Sequence, residues 1–154
     1  MESNKLRKHD LYFLRLARFV SQRSKDPSTK TGAIIVAPTG EQISTGVNGF
    51  PRGMPDLPEL YANREEKYSR IVHCEMNALI FARRDLTGAT LYTWPFMSCD
   101  RCAVHILQAG IRRFVAPASD NPRWQESFTR TRKYIQECGG ELVEVDMALI
   151  LDES

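Results

Sequence analysis

Two short segments, His73-Cys74-Glu75 and Cys99-Asp100-Arg101-Cys102, constrain this chain more than any other part of it. A C-x-x-C turn lets two thiolates reach one ion, and one further imidazole makes a three-ligand set that leaves the fourth position of a tetrahedral zinc open to water. Any fold the chain adopts must bring residues 73 and 99–102 together. An open position implies catalysis rather than structural support, because zinc in such a set lowers the pKa of bound water enough to supply hydroxide near neutral pH. His73, Cys99 and Cys102 are therefore the candidate zinc ligands, and Glu75 is the candidate for moving protons. At roughly 3.6 residues per turn, His73 and Glu75 would point about 200° apart on an ideal helix. Both are therefore expected at a helix entrance, where the backbone is irregular. Ser98 is placed to cap the helix beginning near Asp100, which puts both cysteines at its positive end.

The elements around these segments alternate. Residues Asp10 to Arg23 carry apolar groups at helical spacing among basic ones, the pattern of an amphipathic helix. Gly32 to Ala37 and Gln42 to Asn48 are β-prone runs around Pro38-Thr39-Gly40 and read as a hairpin. Gly49 to Arg70 is rich in proline and charge, and is expected to be a long loop with a helical turn near Glu65. His73 to Arg84 and Asp100 to Ala109 read as helices, Ala89 to Thr93 and Arg113 to Ala116 as strands. A helix from Arg123 to Cys138, stopped by Gly139-Gly140, leads into the strand Leu142 to Val145. A helix of that length between two strands suits a parallel crossover, so the last two strands are expected to be parallel.

A length of 154 residues is that of one ordinary domain, and residues 1–154 are read as one. The net charge of +2 is too slight for the dense phosphate neutralisation of a duplex-binding protein, which argues against polymeric nucleic acid as partner and leaves a small anionic ligand easy to accommodate. The polar opening and the lack of a long apolar run suggest a cytoplasmic protein without a membrane partner. In that reducing compartment a C-x-x-C pair is more often a metal or redox site than a disulfide.

H-x-E followed by C-x-x-C is the signature of zinc-dependent base deaminases, with the glutamate as proton shuttle rather than ligand. The chain resembles the deoxycytidylate (dCMP) deaminase family most closely through SKDPSTKTGA at Ser24 to Ala33, GVNGFPRG at Gly46 to Gly53, and EKYSRIVHCEMNAL at Glu66 to Leu79. The resemblance implies a three-layer α/β/α fold around a five-stranded mixed sheet, a zinc cofactor, and hydrolysis of dCMP to dUMP and ammonia. It further implies that Asn48 bonds the nucleotide's sugar or base and that the backbone N–H beside Cys74 contacts the pyrimidine carbonyl. Because its relatives are commonly multimeric, a homo-oligomer is expected. Lys30 and Arg52 lie in the matching segments and are candidates for phosphate contact, Arg52 through a bidentate guanidinium. The chain departs from the family where alanine usually separates histidine from glutamate and proline precedes the first cysteine; it has Cys74 and Ser98 there. A changed pocket wall bears on which base fits.

Other readings compete with this one. The C-x-x-C pair alone fits a thioredoxin-like redox site, but the thioredoxin-like surroundings are missing. Other substrates of the same chemistry are a free base, a nucleoside or a tRNA adenosine, and a zinc-stabilised binding protein would use no catalysis at all. Cys74 and Cys138 read as small buried side chains. Trp94 and Phe96 are candidates for stacking on the base or packing the core, whereas Trp124 and Phe128 read as helix-packing residues.

Overall fold

Burial on both faces decides the inner strands, and partial burial the two edge strands. β1 (Gly32–Val36) and β4 (Arg113–Pro117) are buried along their whole length, as inner strands covered on two faces should be. With β2 (Gln42–Val47), β3 (Thr90–Trp94) and β5 (Glu141–Val145) they form one mixed sheet in the order β2-β1-β3-β4-β5. β1 is antiparallel to both β2 and β3, while β3–β4 and β4–β5 are parallel. The computed structural model describes residues 5–153.

Successive strand residues point to opposite faces and supply two cores. Ala33, Ile35, Leu91 and Phe114 pack with side chains of α4 (Cys74–Ala82), α5 (Asp100–Gln108) and α6 (Gln125–Glu137). Their neighbours Ile34, Val36, Tyr92 and Val115 pack on the other face with α1 (Asp10–Ser21) and with Ile150 of α7 (Met147–Leu151). This is the three-layer α/β/α arrangement expected from the sequence, and the two parallel pairs are joined through α5 and α6 as parallel connections require.

The structure departs from the sequence-based expectation most in residues 49–70. Instead of a loop with one turn, they hold α2 (Pro58–Ala62) and α3 (Arg64–Arg70). Pro58 reads as a breaker but stands at the first helical position, where its missing N–H is no loss. Asn63 caps α3, its side-chain oxygen accepting from the Glu66 N–H at 3.2 Å, with Glu65 and Glu66 in the first turn and Lys67 and Arg70 in the last. Arg123 falls in a 3-10 turn, Pro122–Trp124, ahead of α6. Cys138 is exposed rather than buried, because it caps the C-terminus of α6 just before the Gly139 turn.

α1 is tied to the sheet by a buried polar cluster. Asp10 is 1% exposed; it accepts from both terminal nitrogens of Arg113 (2.9 and 2.7 Å), from the Tyr92 hydroxyl (2.7 Å) and from the Arg7 N–H (2.6 Å). Burial pushes its carboxyl up, but the bonds from Arg113, Arg7 and Tyr92 outweigh it and leave the pKa below the ordinary carboxylate value. A folded-state pKa below the unfolded one gives stability that is complete above the unfolded value, near pH 4, and is lost as pH falls through the folded one. Asp10→Asn is therefore expected to cost about 3–5 kcal/mol at neutral pH. Urea unfolding between pH 7 and pH 2 should show that gap closing only below pH 4; a gap independent of pH would mean that the Asp10 charge is not the source.

Candidate active site

Two helix entrances meet beside the carboxyl end of β3. His73 is the extended residue before α4 and Cys99 the extended residue before α5, so two of the three candidate ligands are N-caps. Cys99, not Ser98, caps α5: its Sγ accepts from the Cys102 N–H at 3.5 Å. Ser98 is buried and contributes its carbonyl to the Thr131 hydroxyl at 2.9 Å. The Asp100 N–H donates to Ser127 Oγ at 2.9 Å and that hydroxyl donates back to Asp100 Oδ1 at 2.7 Å, which fixes the α5 entrance against α6.

Close packing sets the position of α4. A Cβ on Gly46 of β2 would lie 2.2 Å from the Cys74 carbonyl oxygen and 2.6 Å from the Ala78 nitrogen, so only glycine lets the helix approach this near. Asn77 Nδ2 donates to the Val47 carbonyl at 2.7 Å and holds the same contact.

His73 Nδ1 lies 3.5 Å from Cys99 Sγ and 3.3 Å from Cys102 Sγ, and the three ligand atoms all fall within 4.8 Å of one another. With zinc bonds of about 2.3 Å to sulfur and about 2.0–2.1 Å to nitrogen, a tetrahedron needs sulfur–nitrogen edges of about 3.5 Å. The cluster therefore fits a zinc ion with one corner left over. The electrostatics agree with that donor set. The Cys102 thiol donates toward Cys99 and, with His73, lowers the Cys99 pKa to about 4, whereas the same bond and burial raise that of Cys102. The bond to Cys99, and then the charge of Glu75, raise the pKa of His73. A dication would replace the protons now shared among these three groups.

The cluster opens on a cavity of about 320 Å³. His73, Cys74, Glu75, Asn48 and Cys99 line it. Glu75 stands in the first turn of α4 and is 5% exposed; the Cys74 thiol, which burial keeps protonated, donates to its Oε1 at 3.1 Å. Asn48 is the hub of the segment before β1. Its Nδ2 donates to the Thr29 carbonyl (2.9 Å) and Asp26 Oδ2 (3.2 Å), and its Oδ1 accepts from the Thr31 N–H (2.9 Å).

The other two candidates stand elsewhere. The Arg52 guanidinium lies over the Phe81 ring, 5.3 Å from its centroid, and Lys30 Nζ bonds the Ser24 carbonyl; neither side chain lines the cavity. Its cations are instead Arg64, Lys67 and Arg123, with Tyr68, Trp124 and Phe128 among its aromatic groups. Lys67 is paired with Asp26 at 2.7 Å, both largely buried. Phe96 packs on Phe128 and Trp124, so the residues read as helix packing also form a wall of the cavity. Arg64, Lys67, Tyr68 and Ile71 fall at i, i+3, i+4 and i+7, a helical face that spacing alone would have revealed had residues 49–70 been read as helical.

Comparison with known proteins adds to this geometry. Residues 7–118 match the family model described as the cytidine and deoxycytidylate deaminase zinc-binding region. The chain is 33% identical over 141 residues to an uncharacterized deaminase in the luxG 3′ region of Aliivibrio fischeri, over 90% of this chain and 94% of that one. It is 32% identical over 152 residues to the deoxycytidylate deaminase of Homo sapiens, over 88% of this chain and 84% of that one. Its fold is similar to that of the dCMP deaminase of the cyanophage S-TIM5, solved in complex with dCMP and dUMP, with a TM-score of 0.69 at 24% identity over 87% of this chain and 94% of that chain.

Proposed function

The chain belongs to the cytidine and deoxycytidylate deaminase family, and from that premise we propose that it hydrolyses the exocyclic amine of a pyrimidine nucleotide, converting dCMP to dUMP and ammonia. The observation that carries this reading is the His73–Cys99–Cys102 cluster beside a cavity also lined by Glu75. Those three side chains would hold zinc, which when bound acidifies water and makes a nucleophile available near neutral pH.

The remaining chemistry belongs to the chain. Glu75 accepts the two protons of the attacking water in turn, giving one to ring nitrogen N3 and the other to the departing amine, as the C4–O bond forms and the C4–N bond breaks. Burial suits it to this task, because protons are relayed to substrate rather than to bulk solvent. The Cys74 N–H, one of the unpaired donors at the α4 entrance, faces the pyrimidine carbonyl. Asn48 has both amide hydrogens committed to the segment before β1 but keeps one lone pair on Oδ1 for a sugar hydroxyl.

Residues 1–154 are proposed to act as one deaminase domain. The exposed Ile80 and Phe81 on α4 and Val104 on α5 support a homo-oligomer, and the reliance on reduced thiols supports a cytoplasmic setting. Among the described residues no helix is long and apolar enough to cross a membrane.

Ammonia release by the zinc-loaded protein against dCMP, CMP, dCTP, deoxycytidine, cytosine, guanine and adenosine-containing RNA tests the assignment. Turnover confined to dCMP is the expected result. Turnover of a different member moves the substrate and keeps the mechanism, whereas silence across the whole panel returns the chain to a binding role.

A further inference from the structure

Arg64 and Arg123 are the cavity-lining cations that no carboxylate neutralises among the described residues. The third, Lys67, is already bound to Asp26. Both guanidinium groups converge on one ring: the central carbon of Arg64 lies 5.5 Å and that of Arg123 5.4 Å from the Tyr68 centroid. Arg64 Nε also donates to the Tyr68 hydroxyl at 3.2 Å, and Arg123 packs on Trp124 at 5.0 Å. Partial burial, and after it the neighbouring charge of Arg64, lower the pKa of Arg123. Arg64, Tyr68 and Arg123 are exposed while Glu75, Asn48 and Phe128 are buried, so the two cations mark the mouth of the cavity and the proton-transfer residue its floor.

We propose that Arg64 and Arg123, held on the Tyr68 ring, form a clamp for a phosphomonoester dianion at the mouth of the cavity. Resting on the deaminase reading, the clamp takes the 5′-phosphate of the nucleotide whose base sits over His73, Cys99 and Cys102. Two planar guanidinium forks supply paired N–H donors matched to phosphate oxygens, and ring stacking limits the freedom each long side chain loses on binding. The clamp makes the enzyme choose a monophosphate over the corresponding nucleoside, and it assigns phosphate recognition to α3 and the 3-10 turn rather than to Lys30 and Arg52.

Quenching of Trp94 and Trp124, both in the cavity wall, reports binding by the zinc-loaded protein in phosphate-free buffer with ionic strength fixed by chloride. dUMP, deoxyuridine and inorganic phosphate are titrated into the wild type, Arg64→Ala, Arg123→Ala and the double variant. Loss of one charge-assisted bonding group is expected to reduce the preference for dUMP over deoxyuridine by about 10- to 100-fold. The double variant should also weaken inorganic phosphate binding. Wild-type protein that ignores phosphate, or a double variant that binds it as well as the wild type, overturns the clamp. If phosphate binds through the two arginines while dUMP binds no better than phosphate and deoxyuridine not at all, the clamp stands as a free-anion site and the deaminase reading fails separately.

Discussion

Glu75→Gln is expected to keep its zinc and lose turnover by about 10²- to 10⁴-fold. The substitution preserves volume at a site that is 5% exposed, and its Oε1 can still accept from the Cys74 thiol, so neither α4 nor the cavity has reason to move. What disappears is the capacity to take a proton from water and return it to the leaving amine. Metal content per chain and steady-state ammonia release, measured on the same preparation, separate the roles. Full turnover in the variant would remove Glu75 from proton transfer, and loss of metal would make it a support of the centre instead.

The second large effect is expected at Cys102→Ala, which should abolish zinc binding and turnover together. Cys102 has two duties, because its sulfur belongs both to the ligand cluster and to the core formed with Ile106, Leu91 and Ala33. A ligand that binds only the folded state adds about 4 kcal/mol of stability at 1,000 times its dissociation constant, which in a domain of this size corresponds to a melting shift of about 10 °C. Chelation should therefore lower the wild-type melting temperature by about that amount and leave the variant's unchanged. If both proteins melt alike with and without chelator, the cluster does not hold a metal that matters to the fold.

Legibility from sequence followed the range of each interaction. The strands were readable because burial on two faces writes a continuous apolar run into β1 and β4, and the ligand set because C-x-x-C is confined to one helix entrance. α2 and α3 were hidden by prolines and charges: Pro58 signals a break yet starts a helix, and α3 buries none of its own residues, so it has no apolar stripe to announce it. The cap of α5 differs from the expected Ser98 because a cysteine holds the position that serine usually fills. The phosphate candidates Lys30 and Arg52 lie in matching segments, but Lys30 turns to the Ser24 carbonyl and Arg52 to Phe81. Arg64 and Arg123, which do line the cavity, lie far apart in sequence and converge on the Tyr68 ring, a contact that no local pattern records.

The metal cluster and Glu75 are anchored in the core through Gly46, Asn77 and the α5–α6 contact, whereas Arg64, Tyr68 and Arg123 stand on exposed turns of α3 and the 3-10 segment. Exchanges at such exposed positions usually change stability by no more than about 0.5 kcal/mol, while exchanges beneath the cluster cost several times that. Substitutions at the mouth can therefore change what the cavity admits at little cost to the fold that holds the proposed catalytic floor, so binding preference and stability are separable in this architecture.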